Sequence, residues 1–151
     1  SKEYDLHTRF IELAGEINEG MPYYVVSKLQ RVLNRHAKCL NGAKVLVLGY
    51  TYKADVGDAR ETPAEKVMEL LQHEGADLSY VDPFVPSITL GGRQYKGVPL
   101  NKETLERSDC VLILTAHSAF DYDMVAKHAK VVLDTRNATK HVKSRDKIVL
   151  L

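Results

Sequence analysis

Five short apolar runs, separated by stretches with helical spacing, constrain this chain more than any other feature. Lys44-Val45-Leu46-Val47-Leu48-Gly49 is continuous and rich in β-branched residues. A run of that kind suits a strand buried on both faces, as parallel sheets require. Asp77-Leu78-Ser79-Tyr80-Val81, Cys110-Val111-Leu112-Ile113-Leu114, Lys130-Val131-Val132-Leu133-Asp134 and Lys147-Ile148-Val149-Leu150-Leu151 read the same way. Between them, Pro63 opens a helix with Thr62 as N-cap, Val67, Met68, Leu70 and Leu71 as its apolar face, and Gly75 as its stop. Shorter helices are expected over 101–107 and 121–128, and a small hairpin turns at Gly91-Gly92. Strands alternating with helices predict an α/β fold: a Rossmann-like, three-layer parallel sheet of about five to six strands.

Before residue 40 the pattern is helical only. Residues 4–16 can form a helix, and 22–38 form another, begun by Pro22 and carrying Val25, Val26, Leu29, Val32 and Leu33 at spacings of three and four. Asn41-Gly42 ends it in a turn. The expected organisation is a helical arm or connector over 1–40 and one domain over 41–151.

At 151 residues and 44% hydrophobic content the chain can bury a proper core. Its 21 Lys and Arg against 20 Asp and Glu leave a formal charge of +1, unlike the strongly basic footprint of a nucleic-acid binder. No apolar run approaches the roughly 20 residues that span a bilayer, so no membrane segment is expected. The polar opening Ser-Lys-Glu-Tyr-Asp does not read as a signal peptide. A first residue other than Met suggests a piece processed or cut from something longer. Two cysteines cannot build a disulfide framework, and a reducing, cytoplasmic setting is the default expectation.

In open α/β sheets, ligands bind beyond the carboxyl ends of the strands. There the sequence places Tyr52, Lys53, Asp55, Asp58 and Arg60 after the first strand and Asp82, Pro83 and Phe84 after the second. Thr115, His117 and Phe120 follow the third, and Asp134, Thr135, Arg136 and Asn137 the fourth. Lys53, Arg60 and Arg136 therefore gather on one edge, a set suited to phosphate or pyrophosphate. The competing reading makes them surface charges paired with Asp55, Asp58 and Glu61. G-x-G-x-x-G and Walker A are absent: the first strand ends in Gly49-Tyr50-Thr51-Tyr52-Lys53, with a single glycine. A dinucleotide is not expected to lie on this turn in the usual way. The scattered histidines have no metal-ligand spacing, so no metal is expected. Cys110 reads as core and Cys39 as a helix-end residue, His117 as structural, and the basic 140–147 segment as a solvated loop.

The segment Leu48-Gly49-Tyr50-Thr51-Tyr52-Lys53-Ala54-Asp55-Val56-Gly57-Asp58-Ala59-Arg60-Glu61-Thr62-Pro63-Ala64 resembles the C-terminal, UDP-binding domain of the UDP-glucose/GDP-mannose dehydrogenases. Val81-Asp82-Pro83-Phe84-Val85-Pro86, Thr115-Ala116-His117-Ser118-Ala119-Phe120 and Leu133-Asp134-Thr135-Arg136-Asn137 resemble further motifs of that family in the same order. Upstream, Ile17-Asn18-Glu19-Gly20-Met21-Pro22-Tyr23-Tyr24-Val25 resembles the lead from its central dimerisation helices. The D-T-R-N form with M-P upstream is most similar to the UDP-N-acetylhexosamine branch. Gly15 stands where many relatives have Arg, and Ala54 replaces a common second Lys.

The resemblance implies part of an enzyme that oxidises C6 of a UDP-sugar to a carboxylate in two steps with two NAD. The NAD domain and the catalytic Cys segment are not in this sequence. Cys39 and Cys110 do not stand in that motif, so no residue here is assigned a catalytic role and the fragment alone is not expected to catalyse. By resemblance Tyr52, Lys53 and Arg136 contact the UDP-sugar, Arg60 reaches toward NAD, and the full-length enzyme is a homo-oligomer. A non-catalytic nucleotide-binding module, or an oligomerisation module of the same fold, stands as the alternative.

Overall fold

A computed structural model describes residues 20–151. The helix expected over 4–16, and with it much of the 1–40 connector, lies outside the described residues. The description opens in helix α1, which runs over 20–35. The periodicity predicts this helix to 38. It ends earlier because Ala37 turns into the left-handed region (φ 57°) and the Lys38 amide donates back to the Leu33 carbonyl at 3.0 Å.

The elements then follow as β1 (Lys44–Leu48), α2 (Pro63–His73), β2 (Asp77–Val81), β3 (Ser87–Leu90), β4 (Arg93–Lys96), α3 (Lys102–Arg107), β5 (Cys110–Ile113), α4 (Tyr122–His128), β6 (Val132–Asp134) and β7 (Ile148–Leu150). Five strands form one sheet in the order β2-β1-β5-β6-β7, and every neighbouring pair is parallel. This is a doubly wound arrangement whose order reverses beside β1. The β3–β4 hairpin is antiparallel and separate, with Ile88, Leu90 and Tyr95 turned into the core.

The sheet is the middle of three layers, as its alternating side chains show. Val45 and Val47 of β1 pack with Leu112, Leu133 and the apolar faces of α1 and α2. Leu46 and Leu48 point the other way, toward Val111, Ile113, Val132, Leu105 of α3 and Val125 of α4. All four of these β1 side chains are fully buried, which is why the run lacks the alternation of a half-exposed strand. Val25, Leu29, Val32 and Leu33 of α1 belong to the same cluster as the sheet. Helix α1 is thus one wall of the core.

Capping follows the sequence closely. Thr62 Oγ1 accepts from the Ala64 amide at 3.2 Å and donates to the Tyr50 carbonyl at 2.6 Å, tying the start of α2 to the end of β1. Asn101 and Thr104 form a reciprocal capping box on α3, and Asp121 caps α4. Among the described residues no helix is long and apolar enough to cross a membrane.

Candidate functional site

The carboxyl ends of β1, β5 and β6 open onto two adjoining hollows that share one side chain. The first, of about 370 Å³, is lined by Tyr52, Thr135 and Arg136, with Pro22 and Val25 of α1 and Ala64 of α2 among its walls. The second, of about 380 Å³, is lined by Tyr52, Lys53, Val56, Asp58, Arg60 and Glu61. All four residues singled out in the sequence therefore stand at the expected sheet edge. No single hollow holds them all: Arg136 lines the first, Lys53 and Arg60 the second, and Tyr52 both. Tyr52 is half-exposed, at 51%, although it is a large aromatic side chain.

The three cations differ in their surroundings. Arg60 is claimed by a carboxylate: its Nε and Nη2 donate to Asp58 Oδ1 and Oδ2 at 3.0 and 3.1 Å, and its backbone amide donates to Oδ1 at 3.0 Å. These bonds hold the Asp58 carboxyl down to about 2, and the same partner raises the Arg60 guanidinium. Arg60 thus pairs with Asp58, one of the three partners that the sequence offered. Lys53 and Arg136 enter no ion pair among the described residues. Both are exposed, and their charges stand open to an anion.

Buried carboxylates build the loops that carry these cations. Asp134, at the end of β6, is 1% exposed. Its Oδ1 accepts the amides of Arg136 and Ala138 at 3.0 and 3.1 Å, and its Oδ2 the amide and hydroxyl of Thr139 at 2.9 and 2.6 Å. Asn137 adopts a left-handed backbone, φ 54°, inside this cage. At the end of β2, Asp82 Oδ2 accepts the amides of Tyr50 and Thr51 at 2.7 and 3.3 Å, and Oδ1 the amide of Phe84 at 2.8 Å. The Asp of Asp82-Pro83 and the Asp of Asp134-Thr135-Arg136-Asn137 are thus loop clamps.

His117 is fully buried and bonded to Asp82, Thr51 and Asp55. Its place after a strand was visible in the sequence, but the lateral reach to two other strand ends was not. Thr135 stands at the strand end where the sequence puts it, whereas the walls given by Met21, Pro22 and Val25 of α1 carry no signal for a site in the sequence. Asp55 reaches the other way, accepting the Ser118 amide at 2.8 Å, and that bond lowers its carboxyl below the usual range. Cys110 is buried in β5 with its thiol pushed up to about 12 by desolvation, whereas Cys39 is exposed. Among the described residues no group of three or more His, Cys, Asp or Glu side chains could hold a metal.

A family model described as the UDP binding domain of the UDP-glucose/GDP-mannose dehydrogenase family matches residues 46–141. The chain is 33% identical over 143 residues to a UDP-N-acetyl-D-mannosamine dehydrogenase of Methanococcus maripaludis, covering 89% of this chain and 32% of that protein. Among solved structures, the UDP-D-ManNAc dehydrogenase of Pyrococcus horikoshii superposes with a TM-score of 0.73 at 25% identity, over 93% of this chain and 32% of that one. The UDP-N-acetyl-mannosamine dehydrogenase of S. aureus gives 0.66 at 31% identity, over 97% and 33%. The chain thus spans about a third of the length of the relatives it matches. The matched segment begins within β1, takes in both loop clamps and both hollows' cations, and ends just beyond Asp134's cage. The chain belongs to the UDP-glucose/GDP-mannose dehydrogenase family, and residues 46–141 are its UDP binding domain.

Proposed function

We propose that this chain is the nucleotide-sugar-binding part of an NAD-dependent UDP-sugar 6-dehydrogenase of the UDP-N-acetylhexosamine type. In this reading residues 41–151 are the UDP-binding domain and 1–40 the connector from a central dimerisation region. The observation that carries it is the open pair of cations, Lys53 and Arg136, set around the Tyr52 ring at the carboxyl edge of a doubly wound sheet. A diphosphate needs compact positive charge, which Lys53 supplies, and Arg136 offers a planar fork to the nucleotide. Tyr52, which lines both hollows, adds an exposed aromatic side chain to the site.

The NAD of the complete enzyme would collect the two hydrides as the C6 alcohol becomes a carboxylate. The residues here fit one contact to that cofactor and no more. The turn after β1 has a single glycine, Gly49, and lacks a Gly-rich cradle for a pyrophosphate. Arg60 keeps one edge on Asp58 and turns an exposed guanidinium outward, as a single contact requires. The contribution of this chain is therefore binding: energy gained on the remote diphosphate orients the reacting C6. A homo-oligomeric, cytoplasmic parent enzyme completes the proposal.

The test is calorimetric or NMR titration of the chain with UDP, UDP-N-acetylglucosamine and NAD. Half a cleft should bind UDP weakly, no tighter than about 0.1 mM. Lys53→Ala and Arg136→Ala should each weaken UDP binding about tenfold and leave the fold intact. Saturable UDP binding that is indifferent to both substitutions would overturn this site. No UDP binding at millimolar ligand would favour a non-catalytic oligomerisation module.

A further inference from the structure

The segment that presents Tyr52 and Lys53 has little apolar anchorage of its own, since 52–58 are all exposed. It is nonetheless held by hydrogen bonds, one of them from the Ser118 amide to Asp55 Oδ1 at 2.8 Å. Thr51 Oγ1 donates to the Lys53 carbonyl at 2.9 Å, and His117 Nδ1 takes the Asp55 amide at 2.9 Å. Asp55 sits in the left-handed region, φ 62°, a conformation that needs such support.

The hydrogen bonds assign the tautomer of His117. An amide N–H can only donate, so Nδ1 is the unprotonated acceptor. The ring proton is on Nε2, where it meets Asp82 Oδ2 at 2.9 Å and Thr51 Oγ1 at 3.2 Å. The ring lies between Phe84 and Phe120, with centroids at 5.0 and 5.4 Å, and Tyr122 Oη donates to the His117 carbonyl at 2.8 Å. One imidazole therefore links the ends of β1, β2 and β5, beside the point where strand order reverses.

We infer that His117 is the positioning residue of the nucleotide-binding segment: its unprotonated Nδ1 holds the Asp55 amide and thereby sets Tyr52 and Lys53 for a nucleoside diphosphate. The inference rests on the proposed function for its ligand. The titratable groups around the ring are Asp82 on Nε2, Asp55 Oδ1 at 3.8 Å from Nδ1, and the Tyr122 phenol on the carbonyl side.

Three variants separate the two ring nitrogens. An Asn amide reaches the place of Nδ1, and a Gln amide the place of Nε2. His117→Ala and His117→Gln should weaken UDP-N-acetylglucosamine binding about tenfold, while His117→Asn, whose Oδ1 can accept from Asp55, should recover most of that loss. Equal losses in Gln and Asn would overturn the inference.

Two measurements stand independently of nucleotide binding. Side-chain 15N spectra of the wild-type chain should show a protonated Nε2 and a bare Nδ1; the opposite tautomer would overturn the inference even if no variant folds. Hydrogen exchange at the Asp55 amide should quicken in Gln and stay slow in Asn. Unchanged protection in Gln would refute the latch, whereas a latch present without UDP binding would refute only the proposed ligand.

Discussion

The Asp134 carboxylate accepts the Arg136 backbone N–H at 3.0 Å, so the last residue of β6 sets the direction of the cation two positions on. Its other bonds, to Ala138 and Thr139, close a buried ring of donors around one charge. Asp134→Asn turns an acceptor edge into an N–H edge that faces other N–H groups. The expected cost is about 2–3 kcal/mol of stability. Thermal and urea unfolding of the variant check this, and an unchanged midpoint would refute the clamp.

Gly49 has φ 87°, and a Cβ there would overlap the Cβ, carbonyl oxygen and Cα of Thr115. These are parts of a neighbouring strand end that cannot swing aside. Gly49→Ala should therefore destabilise the chain by about 2–5 kcal/mol, combining backbone strain with overpacking. A denaturant midpoint within error of the wild type would show that the two strand ends are not held so close.

The Asp58–Arg60 pair has a defined acid limit. The Asp58 carboxyl is depressed to about 2, against about 3.9 for an unperturbed aspartate. A depressed carboxyl favours the folded arrangement above its unfolded value, and that contribution is lost as pH falls through about 2. Carboxyl 13C titration should place the Asp58 midpoint near 2, and the Arg60 Nε–H resonance should move with it. An Asp58 midpoint near the unperturbed value would mean that Arg60 is not held.

The two thiols should differ sharply in reactivity. Cys110 lies in β5 with its thiol pushed up to about 12, and Cys39 is exposed near a helix end. An aromatic disulfide reagent at neutral pH should label one thiol per native chain, lost in Cys39→Ser, and two per chain in denaturant. Labelling of Cys110 in the native state would show that the sheet opens locally.

What was legible in the sequence followed from periodicity and from special residues. The β1 run announced a doubly covered strand, and Val45 and Leu46 indeed face opposite layers. Thr62 and Pro63 marked the start of α2 to the residue. Tyr52, Lys53, Arg60 and Arg136 could be put on strand-end loops because a strand's end is a local property. Their division between two hollows was not legible, because it depends on where Tyr52 projects. Nor was the capture of Arg60 by Asp58, which Asp55 or Glu61 could have made equally well on spacing alone. The reach of His117 to residues 62–66 positions away in sequence is a product of sheet order, which no local pattern encodes. The end of α1 was misjudged because Ala37 is not a residue that advertises a left-handed turn.

Tyr52 is the residue that the two hollows have in common. Truncating it would reshape both at once, the one that holds Arg136 and the one that holds Lys53 and Arg60. Neither hollow can therefore be redesigned at this position alone. A change at this one aromatic would be read by cations carried on two different loops.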